Sequence, residues 1–114
     1  MTNTTNNYFE EMERTNNLTK GASKALRAWE DSQDQNLDEI EMRGDLTLDE
    51  ACGFVKTLRN AGVETFNLTD TSSDLMNTLI NLMTYGCKIE GVVFITKEKW
   101  GETIEVKGLK ISLN

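Results

Sequence analysis

The stretch TLDEACGFVKTLRNAGVETFNL, residues 47–68, decides the fold because it joins a well-marked helix to a strand. Thr47, followed three residues later by Glu50, has the pattern of a capping box that begins a helix. Gly62 ends the helical pattern. VETFNL at the end of the stretch is β-branched and aromatic and predicts a strand. The helix carries one apolar stripe, which consists of Leu48, Ala51, Cys52, Val55, Leu58 and Ala61.

The segments after this stretch continue the alternation of helix and strand. TDTSSD (69–74) offers side chains that can cap a helix. The next helix ends at Gly86 and is broadly apolar, with Leu75, Met76, Leu79, Ile80, Leu82 and Met83. Met76 and Met83 are predicted to belong to its core stripe. CKIEGVVFITK (87–97) and TIEVKGLKISL (103–113) then predict the two strands of a hairpin. The apolar parity of the second strand changes at Gly108, which predicts a bulge there.

The segments before residue 47 are less sharply marked. Residues 1–17 are rich in Thr, Asn and charged side chains and are predicted to be a polar, largely disordered tail. A helical spacing over 18–35 predicts an N-terminal helix, with apolar positions at Leu18, Ala22, Ala25, Leu26 and Trp29. Alternation around 39–43 fits a short strand, and a one-turn helix capped by Asn36 fits almost as well.

This order of elements predicts an α/β core domain over 36–114, with α+β as the alternative class. We expect a small single domain with a three- or four-stranded mixed sheet, a C-terminal antiparallel hairpin and two helices on one face. The N-terminal helix is expected either to cover the other face or to stand off as an arm. No apolar run is long enough to cross a bilayer and no secretory signal is visible, so a cytoplasmic protein is expected.

The net charge of −7 is concentrated between Glu30 and Glu50. This segment has one basic residue, Arg43, against nine acidic ones, whereas the other 93 residues carry ten acidic and eleven basic residues. The nine are Glu30, Asp31, Asp34, Asp38, Glu39, Glu41, Asp45, Asp49 and Glu50. A plain solvated surface is one interpretation. The other is a face that attracts a basic protein surface. Such a segment repels nucleic acids and membranes, so these are not expected as partners.

The residue types present exclude most catalytic and metal sites. The chain contains no histidine, which removes the usual general base, the Ser–His and Cys–His pairs and most zinc sites. No phosphate-loop glycine pattern occurs, and a calcium loop that started at Asp34 would place Glu39 where a glycine is required. Cys52 and Cys87 are predicted to be reduced and mostly buried. We therefore expect no enzymatic activity, cofactor or metal.

Two tryptophans are candidate partner contacts, since aromatic side chains dominate interface hot spots. Trp29 lies at the edge of the acidic segment, where closing the core under the first helix is the alternative role. Trp100 lies in the turn EKWGE, where a large apolar side chain is expected to be exposed. The hairpin lysines, Lys97 among them, are expected to protect a strand edge. The predicted partner-binding residues are Glu30, Asp31, Asp34, Asp38, Glu39, Glu41, Asp45, Trp29 and Trp100.

In its one-domain size, lack of catalytic residues, cysteine usage and acidic run, the chain resembles the small acidic inhibitor proteins of phages and bacterial mobile elements. These include anti-CRISPR proteins and antirestriction DNA mimics. The resemblance is one of composition, and it implies an inhibitor that docks carboxylates on the basic channel of a CRISPR effector nuclease in the bacterial cytosol. The alternative is a structural or regulatory module that binds through its C-terminal hairpin or forms a homodimer.

Overall fold

The computed structural model describes residues 1–69 and 74–114, which contain four helices and a four-stranded mixed sheet. The helices are α1 (Asn3–Met12), α2 (Lys20–Asp34), α3 (Leu48–Asn60) and α4 (Leu75–Thr84), and the strands are β1 (Glu41–Met42), β2 (Thr65–Leu68), β3 (Lys88–Lys99) and β4 (Glu102–Ser112). The strand order is β1-β2-β4-β3. β1 and β2 are parallel, whereas β4 is antiparallel to both of its neighbours. The predicted fold class is confirmed.

The helix and strand predicted in residues 47–68 both form. The N–H of Glu50 donates to the Thr47 hydroxyl, and the Glu50 carboxylate accepts from the N–H of Thr47 at 2.9 Å, so the capping box is complete. Phe54 of α3 packs edge-on against Phe66 of β2, with ring centroids 5.3 Å apart, and both rings are fully buried. α3 therefore covers the sheet face from which Phe66 projects.

α3 and α4 lie on the same face of the sheet. The connections from β1 to β2 and from β2 to β3 run in the same direction across the sheet. Right-handed crossovers then place both connecting helices on one side, and α4 does contact α3. The two helices on one face are therefore as predicted. The helix cap that was expected in TDTSSD falls largely on residues 70–73, which lie outside the described residues.

α2 packs beside α3 and neither covers the opposite face of the sheet nor stands away from the domain. The two helices approach closely because Gly21 has no side chain: a Cβ there would lie 2.2 Å from the carbonyl oxygen of Glu50. The C-terminal half of α2 runs along β1. The N–H of Glu41 donates to the Ser32 hydroxyl at 2.9 Å, and this hydroxyl donates to the carbonyl of Ala28. α2 therefore closes the β1 edge of the sheet.

The prediction of a disordered N-terminal tail is wrong, because α1 is a packed helix. Thr2 caps it by accepting from the N–H of Thr5 at 3.1 Å. The Thr5 hydroxyl donates to the carbonyl of Ala61 at 2.8 Å. Phe9 is fully buried and stacks on Trp29, with ring centroids 5.3 Å apart. One aromatic pair and two threonine hydrogen bonds thus order this polar segment, whose buried residues Thr5, Phe9 and Met12 lie on one side of the helix.

The hairpin of β3 and β4 forms as predicted, but its bulge does not lie at Gly108. The register shifts in β3 instead, between Ile89 and Gly91. Gly108 is needed for close packing, since a Cβ there would lie 2.7 Å from the carbonyl oxygen of Leu68. The apolar positions of β4 change from one sheet face to the other along the strand. In the outer half of the hairpin the face opposite the helices is the buried one, and Val106 is half-buried there.

The outer half of the hairpin bends over this opposite face and is fixed there by an ion pair. Lys97 of β3 pairs with Glu41 of β1, although these strands form opposite edges of the sheet. Both side chains are buried, and Glu41 also accepts a hydrogen bond from the Thr69 hydroxyl at 2.8 Å. Lys97 therefore fastens the hairpin to β1. It is not the exposed, edge-protecting charge that the sequence predicts.

Two further predictions about burial are wrong. Met76 and Met83 of α4 are 73 % and 54 % exposed, so they do not fill the core. Both cysteines are free, but Cys52 is exposed and only Cys87 is buried. Burial raises the pKa of the Cys87 thiol. Within residues 1–69 and 74–114, no helix has the length and apolar character needed to span a membrane.

Candidate functional site

The nine acidic side chains between Glu30 and Glu50 do not form one surface, because three of them are used within the fold. Glu41 belongs to the buried ion pair with Lys97. Glu39 accepts from the Thr65 hydroxyl at 3.0 Å and lies 3.6 Å from Lys110. Glu50 completes the capping box and pairs with Lys24 at 3.0 Å. The hydrogen bond from the backbone of Thr47, followed by that from Lys24, lowers the pKa of Glu50.

Two of the predicted partner contacts are therefore corrected. Glu41 is buried and already neutralised, so it cannot meet a cation of another protein. Trp29 is 6 % exposed, stacks on Phe9 and donates its indole N–H to the Asn6 side chain at 3.0 Å. Trp29 therefore has the alternative role, which is to close the core under the first helices.

The remaining acids of the segment lie at or near the surface. Asp45 is partly buried before α3, and its carbonyl accepts from the Lys24 ammonium at 2.8 Å. Asp49 is exposed in the first turn of α3, where a negative charge favours the helix. Asp31, Asp34 and Asp38 are exposed on or just after the C-terminal half of α2, and Glu30 is half-exposed beside them.

The structure adds two acids to this group, Glu10 of α1 and Glu13, the C-cap of this helix. A cleft of about 480 Å³ lies between α1 and α2, and we name it the acidic cleft; its lining residues are Glu10, Glu13, Arg14, Trp29, Glu30, Gln33 and Asp34. It holds four carboxylates and one guanidinium. Glu10 and Glu13 were missed because α1 was taken as disordered. Their three-residue spacing, on one side of a helix, is the signal that could have found them.

The carboxylates of the acidic cleft are close enough to perturb one another. A hydrogen bond with Glu13 is the largest cause that raises the pKa of Glu30. Partial burial and the charges of Glu13, Asp31 and Asp34 raise the pKa further. Every cause acts in the same direction. The cleft therefore concentrates negative charge at a cost in electrostatic repulsion that Arg14 does not remove.

Trp100 lies at the tip of the hairpin in a conformation that bulky residues avoid. It is 94 % exposed, as predicted, and its φ of 52° is followed by a φ of 78° at Gly101. Two successive positive φ angles in a two-residue turn favour Asn-Gly, so a tryptophan at the first position is strained. The Lys99 ammonium lies 5.0 Å from the centre of the ring. The fold therefore displays this side chain without packing it.

The hairpin tip lies near the end of α2 that carries the acidic residues. A cleft of about 710 Å³ is lined on one side by Gln35, which follows α2, and on the other by Lys97, Glu98 and Lys99. Trp100 follows Lys99 directly. Trp100 and the exposed aspartates at the C-terminal end of α2 are thus near opposite sides of this cleft, whose lining also includes the basic Arg43 and Lys107.

No metal centre or catalytic group stands out in the described parts of the chain. No group of three or more His, Cys, Asp or Glu side chains within residues 1–69 and 74–114 is placed to hold a metal ion. A cleft of about 780 Å³ is lined by Tyr8, Met12, Cys52 and Tyr85, among others. Partial burial, followed by the neighbouring Cys52 thiol, raises the pKa of Tyr85.

The chain belongs to a family described as a domain of unknown function, DUF7698, whose model matches residues 24–113. The match begins within α2 and covers all later helices and the whole sheet, but it leaves out α1. The acidic cleft therefore joins acids of the matched region to acids that lie before it. No curated protein and no solved structure matches the chain.

Proposed function

We propose that this member of the DUF7698 family is a non-enzymatic inhibitor that docks its acidic cleft on a basic surface of a nucleic-acid-handling protein. The contact surface consists of the acidic cleft, the flanking Asp31 and Asp38, and Trp100. A CRISPR effector nuclease in the bacterial cytosol is the first target class to test, because such enzymes hold their nucleic acids in strongly positive channels.

The observation that carries the proposal is the close approach of Glu13, the C-cap of α1, to Glu30 of α2 in the acidic cleft, which raises the pKa of Glu30. The stack of Phe9 on Trp29 already holds the two helices together, so the packing does not require two carboxyl groups side by side. Their proximity raises the free energy of the isolated protein. A cationic partner would relieve this repulsion on binding. The electrostatic free energy that destabilises the folded monomer would then favour the complex.

The geometry of the acidic surface also suits a phosphate-binding partner. Glu30 and Asp34 are four residues apart on α2, and Glu10 of α1 is three residues before its C-cap Glu13, so two pairs of carboxylates line the cleft. Arginine forks that bind phosphates also bind carboxylates in a bidentate manner. An exposed tryptophan beside such pairs can serve as the apolar anchor of the interface.

A charge-neutralising variant tests the proposal. Replacing Glu30→Gln, Asp31→Asn and Asp34→Asn together should weaken binding to a purified CRISPR effector, and its inhibition, by more than tenfold. These three side chains hold no structural ion pair, unlike Glu39 and Glu41. The matched control neutralises three exposed acids on other elements: Glu64→Gln, Glu90→Gln and Glu105→Gln.

The control has the same net charge as the test variant, so it separates local charge from total charge. If both triple variants bind and inhibit as the parent does, the acidic surface is not the contact. If the parent binds no CRISPR effector, capture from bacterial lysate identifies the partner. The proposal then requires a protein with a basic nucleic-acid-binding surface, and retention by a partner with an acidic surface would contradict it.

A further inference from the structure

The two edges of the sheet are treated differently. The β1 edge is closed by α2, whose Ser32 accepts the outward N–H of Glu41. At the other edge lies β3, which spans Lys88–Lys99, and none of the described residues adds a strand beyond it. Its segment Gly91–Thr96, of sequence GVVFIT, contains no charge and no proline. An uncharged segment of this kind, at an edge without a neighbouring strand, is a site where another chain can add.

α4, which leads into β3, is also left without a cover. Its sequence LMNTLINLMT contains no charged residue. Thr78 and Leu82 are buried, whereas Met76, Ile80 and Met83 are exposed and lie at i, i+4 and i+7 on one stripe. A helix that is apolar on both its inner and outer sides is typical of one that is buried all round.

β3 carries three more exposed apolar side chains, on the sheet face that the helices occupy. Ile89, Val92 and Phe94 are exposed by 44 %, 65 % and 58 %. The bulge allows Ile89 and Val92 to point the same way, since their partners on β4 are Ile111 and Leu109. Ile111 pairs with Phe66, whose ring packs against Phe54 of α3. These β4 residues and their partners on β3 therefore lie on the sheet face that the helices cover. We name the exposed side chains of α4 and β3 the apolar surface.

The size of the apolar surface matches what a stable interface needs. Its six side chains, exposed by 44–73 %, present roughly 600 Å² of apolar area, the upper end of what one patch on a monomer displays. The neighbouring backbone edge of β3 adds to this. A standard protein–protein interface buries about 800 Å² on each partner.

We propose that the apolar surface binds a second copy of this chain, about a two-fold axis that brings α4 beside its counterpart. The net charge of −7 makes two copies repel unless they meet through a neutral region. The apolar surface is that region, because α4 and the segment Gly91–Thr96 carry no charge. An uncharged apolar surface is complementary to itself, as a two-fold interface requires.

This dimer does not depend on the proposed inhibitory function. The apolar surface belongs to α4 and β3, whereas the acidic cleft belongs to α1 and α2. Two outlying members of the proposed contact surface lie near β3, since Trp100 follows this strand and Asp38 lines a cleft with Phe94. A protein that dimerises but inhibits nothing would contradict only the function proposed above, and a monomeric inhibitor would contradict only the dimer.

The experiment is sedimentation equilibrium over a concentration series, with charges introduced on α4. The parent chain should be dimeric at concentrations well below about 1 mM, and Ile80→Glu or Ile80→Lys should each weaken the dimer more than tenfold. Mixing these two variants should restore dimers, because the two-fold axis places Ile80 near its own counterpart. Leu48→Glu, at an exposed apolar position of α3, is the control and should leave the dimer unchanged.

A parent chain that remains monomeric up to about 1 mM overturns the proposal, as does a dimer that neither Ile80 variant weakens. Variants that separate the dimer without rescue on mixing overturn the arrangement of α4 beside its counterpart. Circular dichroism of each variant confirms that the monomer is folded. A second variant, Val92→Glu on β3, gives an independent test of the same surface and should also weaken the dimer more than tenfold.

Discussion

The two edge strands of the sheet, β1 at one end of the molecule and β3 at the other, have opposite surroundings. At the β1 end, α1 and α2 cover the edge, bury an aromatic pair and display carboxylates. At the β3 end, none of the described residues adds a strand beyond the edge, and the segment Gly91–Thr96 carries no charge. Under the two proposals made above, the covered end binds a basic partner and the uncovered end binds a second copy of the chain.

The largest effect is expected where the two ends are joined. Lys97→Ala would leave Glu41 charged and buried without its partner, which costs about 3–5 kcal/mol. Urea unfolding should show this loss, and Glu98→Ala, at the exposed next position of β3, should change the free energy of unfolding by less than about 0.5 kcal/mol. Equal effects of the two changes would mean that the hairpin is not fastened through this pair.

Helix packing at the closed end gives the next largest effect. Gly21→Ala would force α2 away from α3, because the new Cβ would lie 2.2 Å from the carbonyl oxygen of Glu50. Overpacking of this kind costs about 1–3 kcal/mol. Thermal unfolding should show a lower midpoint, whereas Ser23→Ala, at an exposed position of the same helix, should not lower it. A stable Gly21→Ala variant would contradict the close approach of these helices.

The covering of the β1 edge by α2 can be tested by removing one hydroxyl group. Ser32→Ala would remove the acceptor for the outward N–H of Glu41, and a buried donor without a partner costs about 1–3 kcal/mol. Hydrogen exchange at the Glu41 amide should become faster. Thr96→Ala on β3 is the matching change at the open edge, where the side chain is exposed, and it should leave stability almost unaltered. If neither change alters the stability or the hydrogen exchange of the Glu41 amide, α2 does not seal the β1 edge.

The smallest effect concerns the acidic cleft. Because the pKa of Glu30 is raised above its ordinary value of 4.5, the folded state binds this proton more tightly than the unfolded state. The associated stability is present below about pH 4.5 and is lost as the pH rises through the raised pKa. Glu30→Gln should remove this loss and increase the melting temperature slightly at pH 7, but not at pH 4. A lower melting temperature at pH 7 would mean that the carboxylate helps the fold.

The parts of the fold that sequence predicted correctly are those governed by local signals. The Thr47–Glu50 box and Gly62 act within a few residues, so they mark α3 without any knowledge of the rest of the chain. The position of Lys97 could not be foreseen in this way. Its partner Glu41 is far along the chain and at the opposite edge of the sheet, and only the bending of the hairpin brings them together.

The candidate site was predicted in part for a related reason. Nine acids that are neighbours in sequence are divided by the fold, since Glu39 and Glu41 point from the start of the sheet toward Lys110 and Lys97. The acids on α2 remain at the surface, where α1 adds carboxylates from a segment that looked disordered. Periodicity likewise marks α4 as apolar but cannot tell which part of a broad apolar helix the domain covers.

The most direct test of the acidic surface is the salt dependence of its binding to a basic nucleic-acid-handling protein. Affinity should fall steeply as the salt concentration rises, because salt screens the attraction between oppositely charged surfaces. The variant with Glu30→Gln, Asp31→Asn and Asp34→Asn should show a clearly shallower slope, whereas the control with Glu64→Gln, Glu90→Gln and Glu105→Gln should keep that of the parent. Binding that is insensitive to salt, or a slope equal in all three proteins, would contradict the claim that these carboxylates meet a cationic partner.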